Sequence, residues 1–309
     1  MFFHSPFDHP QLVPILIRLA FFLGLGLLIV IAFNKGNRQN FFQSETWLRY
    51  VGWLLMTPPF LFSVFCGGII SILFIGFVMY RGIIEYSRIL LLPRFFYLLL
   101  LFNALITILF ITLNPKWVPV LPIIYFLITV LATVLRNQLE NILVYVSLTL
   151  FGSIWLPYCL GHFLLTGRLE NGVNILITIG FSVAFSDIFA FVFGKIFAKF
   201  GFGTSHKIAH LISPNKTYAG ILGNIFGASL ALFAYSFLHP QLTSYNLWSL
   251  GILIGISAVL GDLSESMIKR FASVKDSGHS IPGHGGILDR IDSLLIVSVT
   301  THYFFLLAG

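Results

Sequence analysis

Apolar runs of membrane-crossing length alternate with short polar connections along almost the whole chain. A helix crosses the bilayer's hydrocarbon layer with roughly 20 residues at a rise of about 1.5 Å each. On that measure the pattern predicts about nine spans, near 11–33, 53–80, 95–113, 117–135, 143–166, 172–194, 219–238, 246–268 and 290–308. The run at 53–80 is longer than one span needs and contains Met56-Thr57-Pro58-Pro59. Proline removes a backbone donor and crowds the preceding turn, so a kink, or a division into two shorter segments, is expected there. No internal repeat is visible, and the longest polar connections run to about two dozen residues, too short for a soluble domain. The expected fold is an all-α polytopic membrane protein. It divides into N-terminal helices over 1–170 and a C-terminal catalytic region over 171–309, with polar loops at 195–218 and 269–289.

Composition agrees with the pattern. Only 9% of the 309 residues are charged and 57% are hydrophobic, against roughly 25% charged in a soluble domain. The excess of 18 Lys and Arg over 11 Asp and Glu is accounted for by the positive-inside bias and by anionic lipid or a phosphorylated substrate, not by nucleic acid. Alternate loops divide the cations unevenly. One set holds Arg81, Arg88, Arg94, Arg136, Lys195, Lys199, Lys207, Lys216, Lys269, Arg270, Lys275 and Arg290; the other holds Lys35, Arg38, Arg49, Lys116 and Arg168. The first set is therefore expected in the cytoplasm, which puts both polar loops of the C-terminal half on one side. Cys66 and Cys159 lie in apolar runs and form no CxxC pair or disulfide framework. The first apolar run lacks a basic leader and a small-residue cleavage site, so it reads as a retained helix.

One polar run stands apart. Between Ser266 and Asp292, four cations, three acids, two histidines and four glycines occupy 27 residues. Asp262, Ser266 and Lys269 are spaced to share one helix face, and Asp289 and Asp292 to share another. Charges within spans are unfavourable and usually functional, and Asp187, Asp262, Glu265 and Asp292 all fall within predicted spans. Carboxylates converging at a membrane edge suit a divalent cation that also takes oxygens from a phosphate substrate. The glycines of Pro282-Gly-His-Gly-Gly286 would let backbone N–H groups approach an anion at a helix N-terminus, with His284 in support. Ser213, Lys216 and Thr217, just before the next span, offer caps and a phosphate-binding cation. Asp187 reads equally as a ligand or as an ion-pair partner of Lys195 or Lys216. His206 and His210 have the helical spacing of metal ligands but no third ligand, and read as loop residues.

These residues resemble the phosphatidate cytidylyltransferase (CDP-diacylglycerol synthase) family. The match runs through Ser266, Lys269, Arg270, Lys275, Asp276, Gly278, Pro282, His284, Gly285, Gly286, Asp289, Arg290 and Asp292, and upstream through Gly261-Asp262, Ser213-Pro-Asn-Lys-Thr217 and Asp187. It covers roughly 175–295; Tyr218 and Ala219 stand where the family often has Trp and Glu. The resemblance implies Mg²⁺-dependent transfer, with a second cation left open, from CTP to phosphatidic acid, giving CDP-diacylglycerol and pyrophosphate at the cytoplasmic face of a bacterial inner membrane. It implies Asp262, Asp289 and Asp292 as metal ligands, and Lys275 and Arg290 beside them as catalytic groups. Ser213, Lys216, Thr217, Lys269, Arg270, Asp276, His284, Gly285, Gly286 and Asp187 would bind substrate. Two other classes stay open. A related lipid-nucleotide synthase or lipid kinase would use a similar site on an isoprenoid lipid, and a transporter would use the buried acids for ions, though such folds usually carry repeats and midplane sites. The sequence leaves oligomeric state open, a homodimer included.

Overall fold

The computed structural model describes residues 5–34, 41–137, 140–199, 207–278 and 285–308. It is all-helical apart from one small hairpin. The helices are α1 (Leu12–Phe33), α2 (Glu45–Cys66), α3 (Gly68–Ile89), α4 (Arg94–Leu113), α5 (Leu121–Arg136), α6 (Ile142–Ser153), α7 (Cys159–Thr166) and α8 (Gly172–Lys199). Strands β1 (Lys207–Ala209) and β2 (Ser213–Thr217) follow, then α9 (Tyr218–Ala234), α10 (Ser244–Phe271) and α11 (Leu288–Ala308). Nine helical stretches among the described residues are long and apolar enough to cross a membrane. The chain is an integral membrane protein. A π-helical turn at Ile154–Tyr158, containing Pro157, joins α6 to α7 within one span.

Two helices depart from the expected pattern. The long run at 53–80 does divide, but not at its prolines: α2 continues through Pro58 and Pro59, and the chain turns at Gly67 and Gly68. Both glycines have positive φ, +60° and +48°, a region that side chains with a Cβ enter with difficulty. The Ser71 hydroxyl closes the turn by donating to the Ser63 carbonyl at 2.6 Å. The second departure is α9, a 17-residue helix, shorter than the other spans.

The extra crossing changes the sidedness of the N-terminal segment. The last turns of α3 reach the start of α11, where Glu85 accepts the Leu288 N–H. So α2 begins at that end too, beside the C-terminus of α1, where Asn34 donates to Thr46 at 2.8 Å. The start of α1 lies at the far end, where Arg18 Nε donates to the Ala234 carbonyl at 3.1 Å. The helical turn carrying Arg49 therefore stands at the basic end of the bundle, not at the opposite end as the alternation of nine spans suggested. Lys35 and Arg38 lie outside the described residues.

The C-terminal helices pack on small residues. A Cβ on Gly223 or Gly227 of α9 would strike the backbone of Phe189 or Phe185 on α8, and one on Gly255 of α10 would strike Ile225 on α9. Apolar association gains nothing from water inside a bilayer, so close van der Waals approach carries such contacts. Gly261 of α10 does the same toward α11, where a Cβ would collide with the Asp292 carbonyl and the Ser293 Cα. That approach builds the site.

Candidate active site

Asp262 and Glu265 are one helical turn apart on α10, and Asp292 faces them from the first turns of α11. One carboxylate oxygen from each lies within 4.8 Å of the others. Glu265 and Asp292 are buried, 2% and 8% exposed, while Asp262 is partly open. Three acids so close repel one another unless cations join them, and the site supplies two. Lys216, at the end of β2, forms an ion pair with Asp262. Burial works to lower the Lys216 pKa, but Asp262, Asp187 and Asp292 outweigh it and hold the amine above its ordinary value. Lys269 donates to Glu265 Oε2 at 2.6 Å and to Asp289 Oδ1 at 2.8 Å. It ties α10 to α11.

Asp289, expected as a metal ligand from the sequence, has both carboxylate oxygens engaged within the protein. Its Oδ2 accepts the Ser277 hydroxyl at 2.6 Å, the Gly286 N–H at 2.7 Å and the Ser277 N–H at 3.1 Å. With Lys269 on Oδ1, both oxygens are engaged. Asp289 sits in the first turn of α11, where the helix dipole favours an anion, and its carboxylate folds back over the preceding turn. Gly285 there has φ +79° and lies directly beneath that carboxylate. Glu265 is the third acid of the converging group: its Oε1 is buried with no hydrogen-bond partner among the described residues, an orphaned acceptor that a cation would satisfy. The donor set is three hard oxygens, which fits an Mg²⁺-like or Mn²⁺-like cation and not a thiolate-seeking one.

Thr217 caps α9 by accepting the Gly220 N–H at 3.1 Å, and Ser213 opens β2, paired with Ala209 of β1. Arg270 Nε donates to the Ile212 carbonyl at 3.1 Å, joining the hairpin to the end of α10. Asp187 of α8 is exposed, and its Oδ1 lies 3.5 Å from the Ser293 hydroxyl of α11. Lys275 and Asp276 are exposed on the loop after α10, and Arg290 is partly buried on α11. The Gly285-Gly286 turn is brought to the site, but the Gly286 N–H is taken by Asp289 and the Leu288 N–H by Glu85. The chain's own carboxylates occupy this helix N-terminus. His284 and His206 lie outside the described residues. His210 sits exposed on the hairpin turn, so the helical spacing that would pair it with a metal does not apply. Glu85 is the residue sequence reasoning missed: it looks like one more charge among Arg81, Arg88 and Arg94, and its contacts lie about 200 positions away.

The chain matches the Cytidylyltransferase family over residues 47–308. It is 48% identical over 98 residues to a phosphatidate cytidylyltransferase of Synechocystis sp., a stretch covering 31% of this chain and 33% of that one. A Thermotoga maritima protein of the same name is 37% identical over 105 residues, 32% of this chain and 39% of its relative. A longer match, 31% identical over 192 residues, covers 60% of this chain and 61% of the Escherichia coli protein named uncharacterized protein YnbB. The chain thus spans about a third of the first relative's length and about three fifths of the E. coli protein's.

Proposed function

The chain belongs to the cytidylyltransferase family, and from that premise we propose that it transfers the cytidylyl group of CTP to phosphatidic acid in a bacterial inner membrane. The products are CDP-diacylglycerol and pyrophosphate. A phosphate oxygen of the lipid attacks the α-phosphorus of CTP, the bond from that phosphorus to the bridging oxygen breaks, and the electron pair leaves with pyrophosphate. The nucleophile is already an anion, so positioning and charge stabilisation supply most of the catalysis. The observation that carries this reading is the convergence of Asp262, Glu265 and Asp292 within 4.8 Å at the end of the bundle that bears most cations.

In this reading Asp262, Glu265 and Asp292 hold Mg²⁺. A bound cation there would offset the charge of the phosphate oxygens around the reacting phosphorus. Lys216, paired with Asp262, turns its ammonium toward the incoming triphosphate, and Arg290 and the exposed Lys275 neutralise the departing pyrophosphate or the lipid phosphate. Asp187 and Ser293 form the polar wall on the α8 side. Asp289 and Lys269 fix the spacing of α10 and α11, and Arg270 fixes the hairpin that presents Lys216. Ser213, Thr217 and Asp276 line the approach on the loops.

The test is pyrophosphate release by the purified protein given CTP, Mg²⁺ and phosphatidic acid, with Asp292→Asn as control. Release is expected to require all three and to fall by at least about a hundredfold in the variant. Release with an isoprenoid lipid phosphate but not with phosphatidic acid would keep the nucleotidyl transfer and replace the lipid. ADP formed from ATP and a lipid alcohol, with no pyrophosphate from CTP, would replace the reaction by a kinase's.

A further inference from the structure

The buried acid nearest the site belongs to the N-terminal half, far from the polar run in sequence. Glu85 stands on the penultimate turn of α3 and is 3% exposed. Its Oε2 accepts the Leu288 N–H at 3.0 Å and lies 3.5 Å from the Ser277 hydroxyl. Both ends of the loop joining α10 to α11 thus close on one carboxylate. The fit is tight: a Cβ on Gly278 would come within 3.3 Å of the Glu85 carboxyl, and one on Gly286 would collide with Glu85 Oε2 and the Ser277 hydroxyl. The platform beneath is firm. Tyr86, fully buried, donates its hydroxyl to the Leu148 carbonyl at 2.8 Å, and Gly82 packs against the Leu288 side chain.

From Glu85 a chain of polar contacts reaches the acidic group. Glu85 Oε2 accepts the Leu288 N–H and Asp289 Oδ2 the Gly286 N–H of the same turn, Asp289 Oδ1 accepts from Lys269, and Lys269 donates to Glu265 Oε2. We infer that Glu85 is a positioning residue: it pins the ends of the α10–α11 loop and the first turn of α11, and through Asp289 and Lys269 it sets where Glu265 stands relative to Asp262 and Asp292. Its described hydrogen bond is to the Leu288 N–H at the start of α11 and not to the acidic group. The inference rests on the proposed cytidylyl transfer only for its activity readout.

The experiment compares the full-length protein in nanodiscs with Glu85→Ala, Glu85→Gln and Glu85→Asp. Loss of outer-shell partners typically lowers metal affinity or activity about 10- to 100-fold. Glu85→Ala is expected to lose kcat and Mn²⁺ affinity on that scale, with KM for CTP within about threefold, and to speed hydrogen exchange over 285–290. Glu85→Gln keeps an acceptor oxygen and is expected to restore both exchange protection and Mn²⁺ affinity to within about threefold of the parent. Glu85→Asp keeps the carboxyl group but withdraws it by one methylene, and is expected to resemble Glu85→Ala; it carries the test if the alanine variant does not fold. Wild-type Mn²⁺ affinity and exchange in Glu85→Asp, or equal losses in Glu85→Gln and Glu85→Ala, would overturn the inference. If the parent itself releases no pyrophosphate, the reaction reading has failed, and Mn²⁺ affinity and hydrogen exchange still decide the role of Glu85.

Discussion

At the residue scale the site is an arrangement of opposed charges whose members differ in legibility. Asp262, Asp292 and Lys269 stand out in the sequence because charge inside an apolar run is unfavourable and their spacing matches a helix face. Glu265 was visible as an intramembrane acid, but which acids converge depends on how α10 rotates against α11, and periodicity on one helix does not contain that angle. Asp289 illustrates the same limit. It shares a helix face with Asp292 by spacing, yet the turn before it captures its carboxylate through Ser277 and Gly286. Lys216 gives a prediction at this scale. Its amine pKa is raised, so its charge is present below the ordinary lysine value of about 10.4 and is lost only as pH rises through the still higher folded value. Lys216 therefore stays charged between pH 6 and 9 and contributes no break to the activity profile there. Lys216→Met should lower kcat/KM for CTP by roughly 10²- to 10³-fold at every pH in that window. A variant with the parental kcat/KM would remove Lys216 from the site.

Among the elements, the chain's most conspicuous breaker signal was misleading and its quiet one decided the path. Pro58-Pro59 draws attention, but a membrane helix tolerates proline where neighbours and side chains satisfy the freed groups, and α2 runs through the pair. Gly67-Gly68 turns the chain instead, because adjacent positive φ values are available to glycine. Glycine also sets how closely α10 and α11 approach. Gly261 leaves no room for a Cβ against the Asp292 carbonyl and the Ser293 Cα, and Asp292 is one of the three converging acids. Overpacking at such a contact typically costs about 1–3 kcal/mol, relieved here by moving α11 away from α10. Gly261→Val should therefore lower thermal stability and also weaken Mn²⁺ binding more than stability loss alone explains, since it spreads the acids. Gly194, with nothing near its Cβ position, is the control: Gly194→Ala should leave Mn²⁺ affinity unchanged. Equal Mn²⁺ affinity in Gly261→Val and the parent would show that the α10–α11 distance does not set the acidic group.

For the whole molecule, the number of crossings before α4 fixes the side on which every earlier residue lies. Nine alternating spans would put the segment holding Arg49 opposite the site. The division at Gly67-Gly68 puts the start of α2 at the site end, together with Arg88, Arg136, Lys216 and Lys275. Among the described residues the cations at the far end are then Arg18, Lys116 and Arg168, and Arg18 and Arg168 are held there by the Ala234 and Ile111 carbonyls. This makes the positive-inside asymmetry steeper than the sequence alone implied, and that rule predicts the site end for the cytoplasmic side. Cysteine labelling checks it directly, because Cys66 and Cys159 are buried and should stay silent. Phe42→Cys, at an exposed position just before α2, and Asp276→Cys, on the site loop, should react with an impermeant maleimide only in inside-out vesicles. Leu113→Cys, at the exposed end of α4, should react only from the other face. Labelling of Phe42→Cys and Leu113→Cys from the same side would return α2 and α3 to a single crossing before α4 and undo the division at Gly67-Gly68.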